Sequence, residues 1–230
     1  ASRAGRAARG SLRRLVELAL HAQVTVPGEP IGEVARDPGQ ALRWFRAAAE
    51  QGEPYGQFAL GYLYEHGLGA APDPAAAVRW YRAAAAQGNL AARNNLGLMY
   101  DKGHGVPQDD KEALRWYRMA AEQGIPGAQV YVGNVYFWGQ DTQRDYTEAL
   151  RWYRLAAKQR KAPALNNLGV LYLNGLGVTQ NYAQAHMWFT LAATHGYEHG
   201  NRNRDYTAHR MTPEQIAEAQ KLANEWTPEK

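Results

Sequence analysis

Cysteine is missing altogether from the 230 residues, which excludes disulfides, thiolate metal sites and a cysteine nucleophile. Serine is nearly missing. Its two copies, Ser2 and Ser11, stand ahead of everything periodic in the chain, so the repetitive body has no serine nucleophile and hydrolase readings lose their central group. There is no phosphate-binding loop, no H-E-x-x-H and no S-x-x-K string. No apolar run approaches the roughly 20 residues that a membrane-spanning helix requires. Even the net charge of +4 is local: residues 1–14 hold Arg3, Arg6, Arg9, Arg13 and Arg14 without an acid, and the rest carries 21 basic against 22 acidic residues. The chain opens on alanine, so a leader ahead of it would be invisible in this sequence.

What the chain does have is repetition. ALRWFRAAAEQG at Ala41–Gly52 returns as AVRWYRAAAAQG, ALRWYRMAAEQG, ALRWYRLAAKQR and AHMWFTLAATHG, with Trp44, Trp80, Trp116, Trp152 and Trp188 each 36 residues after the last. A fixed period of this size predicts an all-α solenoid of antiparallel helix pairs, in which each unit buries its apolar face against the next. The Trp series, in phase with Ala and Tyr, reads as core.

Asp37, Asp73, Asp109, Asp145 and Asn181 precede the Trp-bearing segments at the same spacing, where a short polar side chain accepts from orphan backbone N–H groups at a helix start. Three residues on, Gln40, Glu112, Glu148 and Gln184 predict capping boxes, with Ala76 the exception. These helices end near Gly52, Gly88, Gly124 and Gly196, with Arg160 breaking the set. A second helix then carries Leu60-Gly61, Leu96-Gly97, Val132-Gly133 and Leu168-Gly169, followed by Tyr64, Tyr100, Tyr136 and Tyr172. Glycine inside a helix costs roughly 1 kcal/mol relative to alanine, so four in register predict that the two helices of a unit cross there.

The pattern A-x-x-W-[YF]-x-x-A-A-x-x-G joined to A-x-x-x-L-G-x-x-Y-x-x-G-x-G-V-x-x-D resembles the Sel-one-like repeat (SLR) family, relatives of the tetratricopeptide repeats; Ala92–Asp109 follows it nearly throughout. The resemblance spans about Asp37 to Gly196. It implies a right-handed α-α superhelix with units at 37–72, 73–108, 109–144 and 145–180 and a partial unit at 181–196. The remainder is expected as a flexible Arg-rich arm at 1–10, a helix and loop at 11–36 and capping helices at 197–230, where Thr212, Pro213 and Gln215 form a helix start ahead of Ile216, Leu222, Ala223 and Trp226. The resemblance also implies a bacterial protein of the periplasm or cell envelope, or alternatively of the cytoplasm.

By the same resemblance the helix bearing Leu-Gly lines a concave groove. Its variable positions are Tyr55, Phe58, Tyr62, Glu65 and His66, then Asn94, Leu98, Asp101 and Lys102. The later units supply Val130, Asn134, Phe137 and Trp138, then Asn166, Val170 and Asn174. Aromatics mixed with amides suit a peptide, and the expected function is a scaffold or adaptor that binds a partner protein or peptide. A module binding glycan or peptidoglycan is the alternative, and a hydrolase the weaker one. Trp138 stands out, because His66, Lys102 and Asn174 hold the equivalent place and its loop has Asp141 for the second glycine. Either a remodelled binding corner or a local packing change accounts for it.

Three other features compete. His195 and His199, near His186 and His209, are four apart and make weak metal candidates; Gly196 between them argues against one continuous helix face, and no cofactor is expected. Arg43/Arg46, Arg79/Arg82, Arg115/Arg118 and Arg151/Arg154 form either a basic stripe for an acidic partner or a solvated outer face, which the neighbouring glutamates favour. The Arg-rich arm offers contact with an acidic surface, whereas the lack of interleaved aromatics argues against nucleic acid.

Overall fold

The computed structural model describes residues 3–21, 23–26, 37–140 and 142–228. Among them run twelve α-helices: α1 Arg3–His21, α2 Pro38–Glu50, α3 Pro54–His66, α4 Pro74–Ala86, α5 Leu90–Lys102, α6 Asp110–Glu122, α7 Pro126–Trp138, α8 Tyr146–Lys158, α9 Ala162–Asn174, α10 Tyr182–Thr194, α11 Gly200–Ala208 and α12 Pro213–Glu225. The chain divides inside α6 into two compact units, residues 1–116 and 117–230. In the first, α3 packs between α2 and α4, and α4 against α5; in the second, α7 to α10 pack in succession and α10 carries α11 and α12.

The helix starts follow the sequence closely. Asp37 accepts from the backbone N–H of Gly39 and Gln40, Asp73 from Ala76, Asp109 from Lys111 and Glu112, Asp145 from Thr147 and Glu148, and Asn181 from Gln184. The reciprocal half of the capping box is different. Glu112 and Glu148 turn forward to Arg115 (3.2 Å) and Arg151 (2.9 Å), because a guanidinium one turn ahead competes with a backbone N–H that lies behind. A complete box forms instead at α12, between Thr212 and Gln215.

The arginine pairs have a structural use within each repeat. Arg46 donates to the Tyr64 hydroxyl (2.6 Å) and Arg154 to Tyr172 (3.0 Å), and Arg82 and Arg118 do the same to Tyr100 and Tyr136. The first arginine lies over the indole beside it, Arg115 on Trp116 and Arg151 on Trp152. Each tyrosine carbonyl in turn receives the backbone N–H of the next cap residue: Asp73 on Tyr64, Asp109 on Tyr100, Asp145 on Tyr136 and Asn181 on Tyr172, at 2.9–3.1 Å. One residue type thus ties the two helices together with its hydroxyl and hooks the following loop with its backbone.

The core takes in two of the expected tryptophans and, in every repeat, the ring one residue beyond. Trp44 and Trp152 are buried, but Trp80, Trp116 and Trp188 are only half-buried, while Phe45, Tyr81, Tyr117, Tyr153 and Phe189 are all buried. These rings explain the helical glycines. A Cβ on Gly61 would stand 2.8 Å from Tyr81, and on Gly133 or Gly169 2.5 Å from Tyr153 or Phe189. The close approach is therefore a ring of the next repeat's first helix, not the partner helix of the same unit. That partner crosses earlier, where a Cβ on Gly56 would meet Ala48 at 2.7 Å. Polar links join successive repeats: Gln87 donates to the Gly52 carbonyl and the Gln57 side chain, and Gln159 likewise to Gly124 and Gln129.

At the start of the chain, α1 begins at Arg3 rather than near Ser11, so the stretch expected as a flexible arm is helical. Alanine and arginine are among the strongest helix formers, and a helix held by buried Leu12, Leu15, Val16 and Ala19 propagates backward at little further cost. Leu18 is exposed, and the expected loop at Pro27–Gly32 lies outside the described residues. At the other end Ala219 is buried on α12, and Leu222, Ala223 and Trp226 pack on the core of the second unit. Arg160 adopts φ 56°, in the same left-handed region as Gly52, Gly88, Gly124 and Gly196. The glycine pattern is broken in sequence but kept in conformation.

Candidate partner-binding site

In the first unit, most of the expected groove residues are engaged with one another. The Tyr55 hydroxyl donates to the Leu15 carbonyl of α1 (3.0 Å), and burial pushes its pKa up, with Arg14 opposing. Phe58, 8% exposed, packs its ring on Tyr55, Tyr62 and Tyr81. Tyr62 stacks on His66 at 4.0 Å, and His66 Nδ1 lies 3.0 Å from the Tyr62 carbonyl. Beneath them the buried Tyr81 hydroxyl donates to Glu65 (2.6 Å) and accepts from Asn95; burial first, and then the Glu65 charge, raise its pKa. Asn94 is half-buried, Leu98 is 40% exposed and Asp101 pairs with Lys102 at 2.9 Å.

The second unit brings its residues around an open cavity of about 390 Å³, lined by Val130, Asn134, Phe137 and Trp138 of α7, Tyr153 of α8, Pro163, Asn167 and Val170 of α9, and Tyr197. The volume lies in the range of ligand pockets. Trp138, 60% exposed, stands edge-on to Phe137 at 4.8 Å, and Phe137 rests against Tyr146. Asn134 Oδ1 receives two hydrogen bonds, from the Tyr153 hydroxyl (2.8 Å) and from Asn167 Nδ2 (3.0 Å). Both fix the amide the same way round, and among the described residues its Nδ2 hydrogens meet no acceptor. Burial raises the Tyr153 pKa, with the Asn167 hydrogen bond opposing.

Two expected residues lie elsewhere. Asn166 is only 5% exposed and accepts from Asn203 of α11 (2.7 Å), so the cap covers it and it cannot serve an open groove. Asn174 is exposed at the far end of α9 and turns back to the Val170 carbonyl. Four lining residues, Tyr153, Pro163, Asn167 and Tyr197, were absent from the expected set. Asn167 had a detectable signal, since Asn95 holds the equivalent place two periods earlier and bonds the equivalent tyrosine. Tyr197 stands in the place of Glu53, Asn89, Ile125 and Lys161, the residue ahead of each second helix, where its N–H makes the same backbone bond; groove positions counted along the Leu-Gly helix alone pass it by. Asp141, in the loop beside Trp138, lies outside the described residues.

The histidines do not share a helical face. His195 is the C-terminal cap of α10 and His199 precedes α11; the glycine between them has φ 85° and turns the chain. Their spacing therefore carries no argument for two ligands on one helix. Among the described residues no three His, Asp or Glu side chains gather as a metal site, and no helix is long and apolar enough to cross a membrane. His186 of α10 is 4% exposed, its Nδ1 has no partner among the described residues, and burial, then the charge of Arg204 on α11, lowers its pKa.

Compared with family models, the chain matches the Sel1 repeat over residues 27–53, 54–89, 90–125, 126–160 and 162–197. Most of these segments start at the second helix of a pair, half a period out of phase with a frame that starts on the aspartate caps. A comparison with curated proteins found no match. Among solved structures, a protective antigen present in uropathogenic Escherichia coli strains and displaying an SLR fold is similar at TM-score 0.75 and 34% identity, over 94% of this chain and 44% of that one. A Sel1 repeat protein from Oxalobacter formigenes is similar at TM-score 0.71 and 26% identity, over 94% and 87% of the two chains. The chain spans under half the length of the Escherichia coli antigen. The likeness establishes an all-α helical-repeat superhelix as the fold class.

Proposed function

Because the chain belongs to the Sel1 repeat family, whose members are generally protein-interaction modules and non-enzymatic scaffolds, we propose that it is an adaptor that holds a partner's peptide segment in the cavity of residues 117–230. The observation that carries this reading is Trp138. It is a large aromatic left 60% exposed on a helix whose equivalent positions hold His66, Lys102 and Asn174, and it stands at the mouth of a cavity with aromatic walls and a fixed amide. Exposed aromatics beside a preformed pocket are the usual anchors of an interface.

The test uses a partner recovered by affinity capture from the native host and then purified. Its affinity is measured for the wild type and for a Trp138→Ala, Asn134→Ala double variant whose folding is checked by circular dichroism. A loss of tenfold or more is expected, and unchanged affinity in the folded variant overturns the cavity as the binding site.

A further inference from the structure

The cavity's chemistry specifies its occupant further, granted that it is the binding site. Its lining holds no charged side chain: it is made of Val130, Val170, Pro163, the rings of Phe137, Trp138, Tyr153 and Tyr197, and two asparagines. A charged partner segment would lose its hydration there without gaining a counter-charge. The polar groups are also unequal in kind. The Asn134 amide offers donors only, since both hydrogen bonds it receives fall on its Oδ1. The exposed Trp138 indole is a donor and never an acceptor. Asn167 has its Nδ2 committed to Asn134, and its Oδ1 lies 3.4 Å from Asn166 Nδ2. The Tyr153 hydroxyl donates to Asn134 and accepts from Asn167, so both of its roles are filled. Among the described residues, the Tyr197 hydroxyl is the one lining group that offers both roles and has no hydrogen-bond partner.

A site rich in donors and poor in acceptors discriminates among peptide backbones. An ordinary extended segment brings an N–H with every carbonyl, and each N–H buried against these rings would be left unmatched. Proline brings the carbonyl without the N–H. A proline-rich segment is also already ordered in the polyproline II conformation, and aromatic-lined grooves with a donor for the carbonyl are the surfaces that receive it. We infer that the cavity between α7 and α9 binds an uncharged, proline-rich segment of a partner protein, with the rings of Phe137, Trp138 and Tyr197 against the pyrrolidines and Asn134 Nδ2 donating to a backbone carbonyl.

The experiment titrates the full chain with a neutral peptide of repeated Ala-Pro-Pro, with the same peptide carrying alanine at every proline, and with the proline peptide flanked by glutamates or by lysines, reading calorimetry and tryptophan fluorescence. The neutral proline peptide is expected to bind. Substituting its prolines should weaken it about tenfold or more, and Trp138→Ala in the protein should do at least as much. Asn134→Asp keeps the acceptor that Tyr153 and Asn167 need but removes the donor, and should weaken binding about fivefold or more. Equal binding of the proline and alanine peptides, both lost in Trp138→Ala, overturns the preference for proline and leaves the cavity as a general peptide site. Binding of the proline peptide that survives Trp138→Ala and Asn134→Asp places it elsewhere and overturns the inference. The same holds if no proline peptide binds while a captured partner still depends on Trp138.

Discussion

Two buried tyrosines in equivalent places, Tyr81 and Tyr153, show how one repeat pattern builds a closed face in the first unit and an open one in the second. The Tyr81 hydroxyl donates a hydrogen bond to the carboxylate of Glu65, and Phe58 covers its ring. In the second unit the places of Glu65 and Phe58 are taken by Phe137 and Val130. With no carboxylate at hand, Tyr153 turns to Asn134, and with valine in place of phenylalanine the space above the ring stays empty. The framework tolerates both because the ring itself is held from behind by a glycine, Gly61 or Gly133. A repeat can therefore gain a cavity by changing residues on its second helix, here Val130, Asn134 and Phe137 in the places of Phe58, Tyr62 and Glu65, without disturbing the stack.

The heaviest blow to this comparison would be removal of either ring. Tyr81→Ala and Tyr153→Ala should each lower stability by about 3–5 kcal/mol in chemical denaturation; a near-neutral result would mean that the ring is not the common pillar. Removing only the hydroxyls should separate the two units. Tyr81→Phe removes the donor from a carboxylate and should cost about 1.5–3 kcal/mol, whereas Tyr153→Phe leaves Asn134 Oδ1 its second hydrogen bond, from Asn167, and should cost about 1 kcal/mol or less, so equal losses would erase the distinction. Val130→Phe rebuilds in the second unit the plug that Phe58 forms in the first. It should reduce partner binding about tenfold, worth about 1.4 kcal/mol, with little change in the denaturation midpoint, and retained binding would show that the cavity is not the site.

Smaller effects test the framework around the cavity. Arg160→Gly should stabilise the second unit by about 0.5–1 kcal/mol, because glycine occupies the left-handed region without the penalty of a Cβ; a loss would mean that the Arg160 side chain has a compensating contact. The least effect near neutrality comes from His186. Its pKa is lowered in the folded chain, so the folded state resists protonation more than the unfolded one. Stability should be constant above the unfolded value of about 6.5 and fall as the pH drops from there through the folded value. Denaturation at a series of pH values should show this slope diminished in His186→Phe.

The period, the caps and the starts of the capped helices within the repeats were legible in the sequence because each depends on neighbours within a few residues: Asp37 finds Gly39 and Gln40 wherever the helix goes. What lay hidden depends on chain segments far away. Asn94 and Asn166 occupy the same place in the repeat, yet Asn166 is covered by Asn203 of the cap, and helical spacing says which way a side chain points without saying what arrives on top of it. The same limit explains why all five tryptophans read as core, when Trp44 and Trp152 are buried but Trp80, Trp116 and Trp188 only half so. Their strict spacing shows that they hold the repeat together, but only the packed structure shows that the following ring, facing a glycine 20 residues behind it, is the deeper one. At the cavity, Asn134, Phe137 and Trp138 could be found by asking where the copies disagree. Tyr197 escapes a count along the Leu-Gly helix because it stands just outside it, in the place of Glu53, Asn89, Ile125 and Lys161.

The hook at Tyr64, Tyr100, Tyr136 and Tyr172 makes the chain divisible. Each of these residues closes its own helix pair through the hydroxyl and receives the next cap through the carbonyl, so both halves of the joint recur every 36 residues. A gene cut at the same codon of two successive loops and rejoined would still present a tyrosine carbonyl to an aspartate or asparagine N–H. Duplication and deletion of whole periods are thereby the length changes that this polymer absorbs most readily, whereas the cavity, with lining on both sides of Tyr136 and of Tyr172, belongs to no single period and is broken by a cut at either hook.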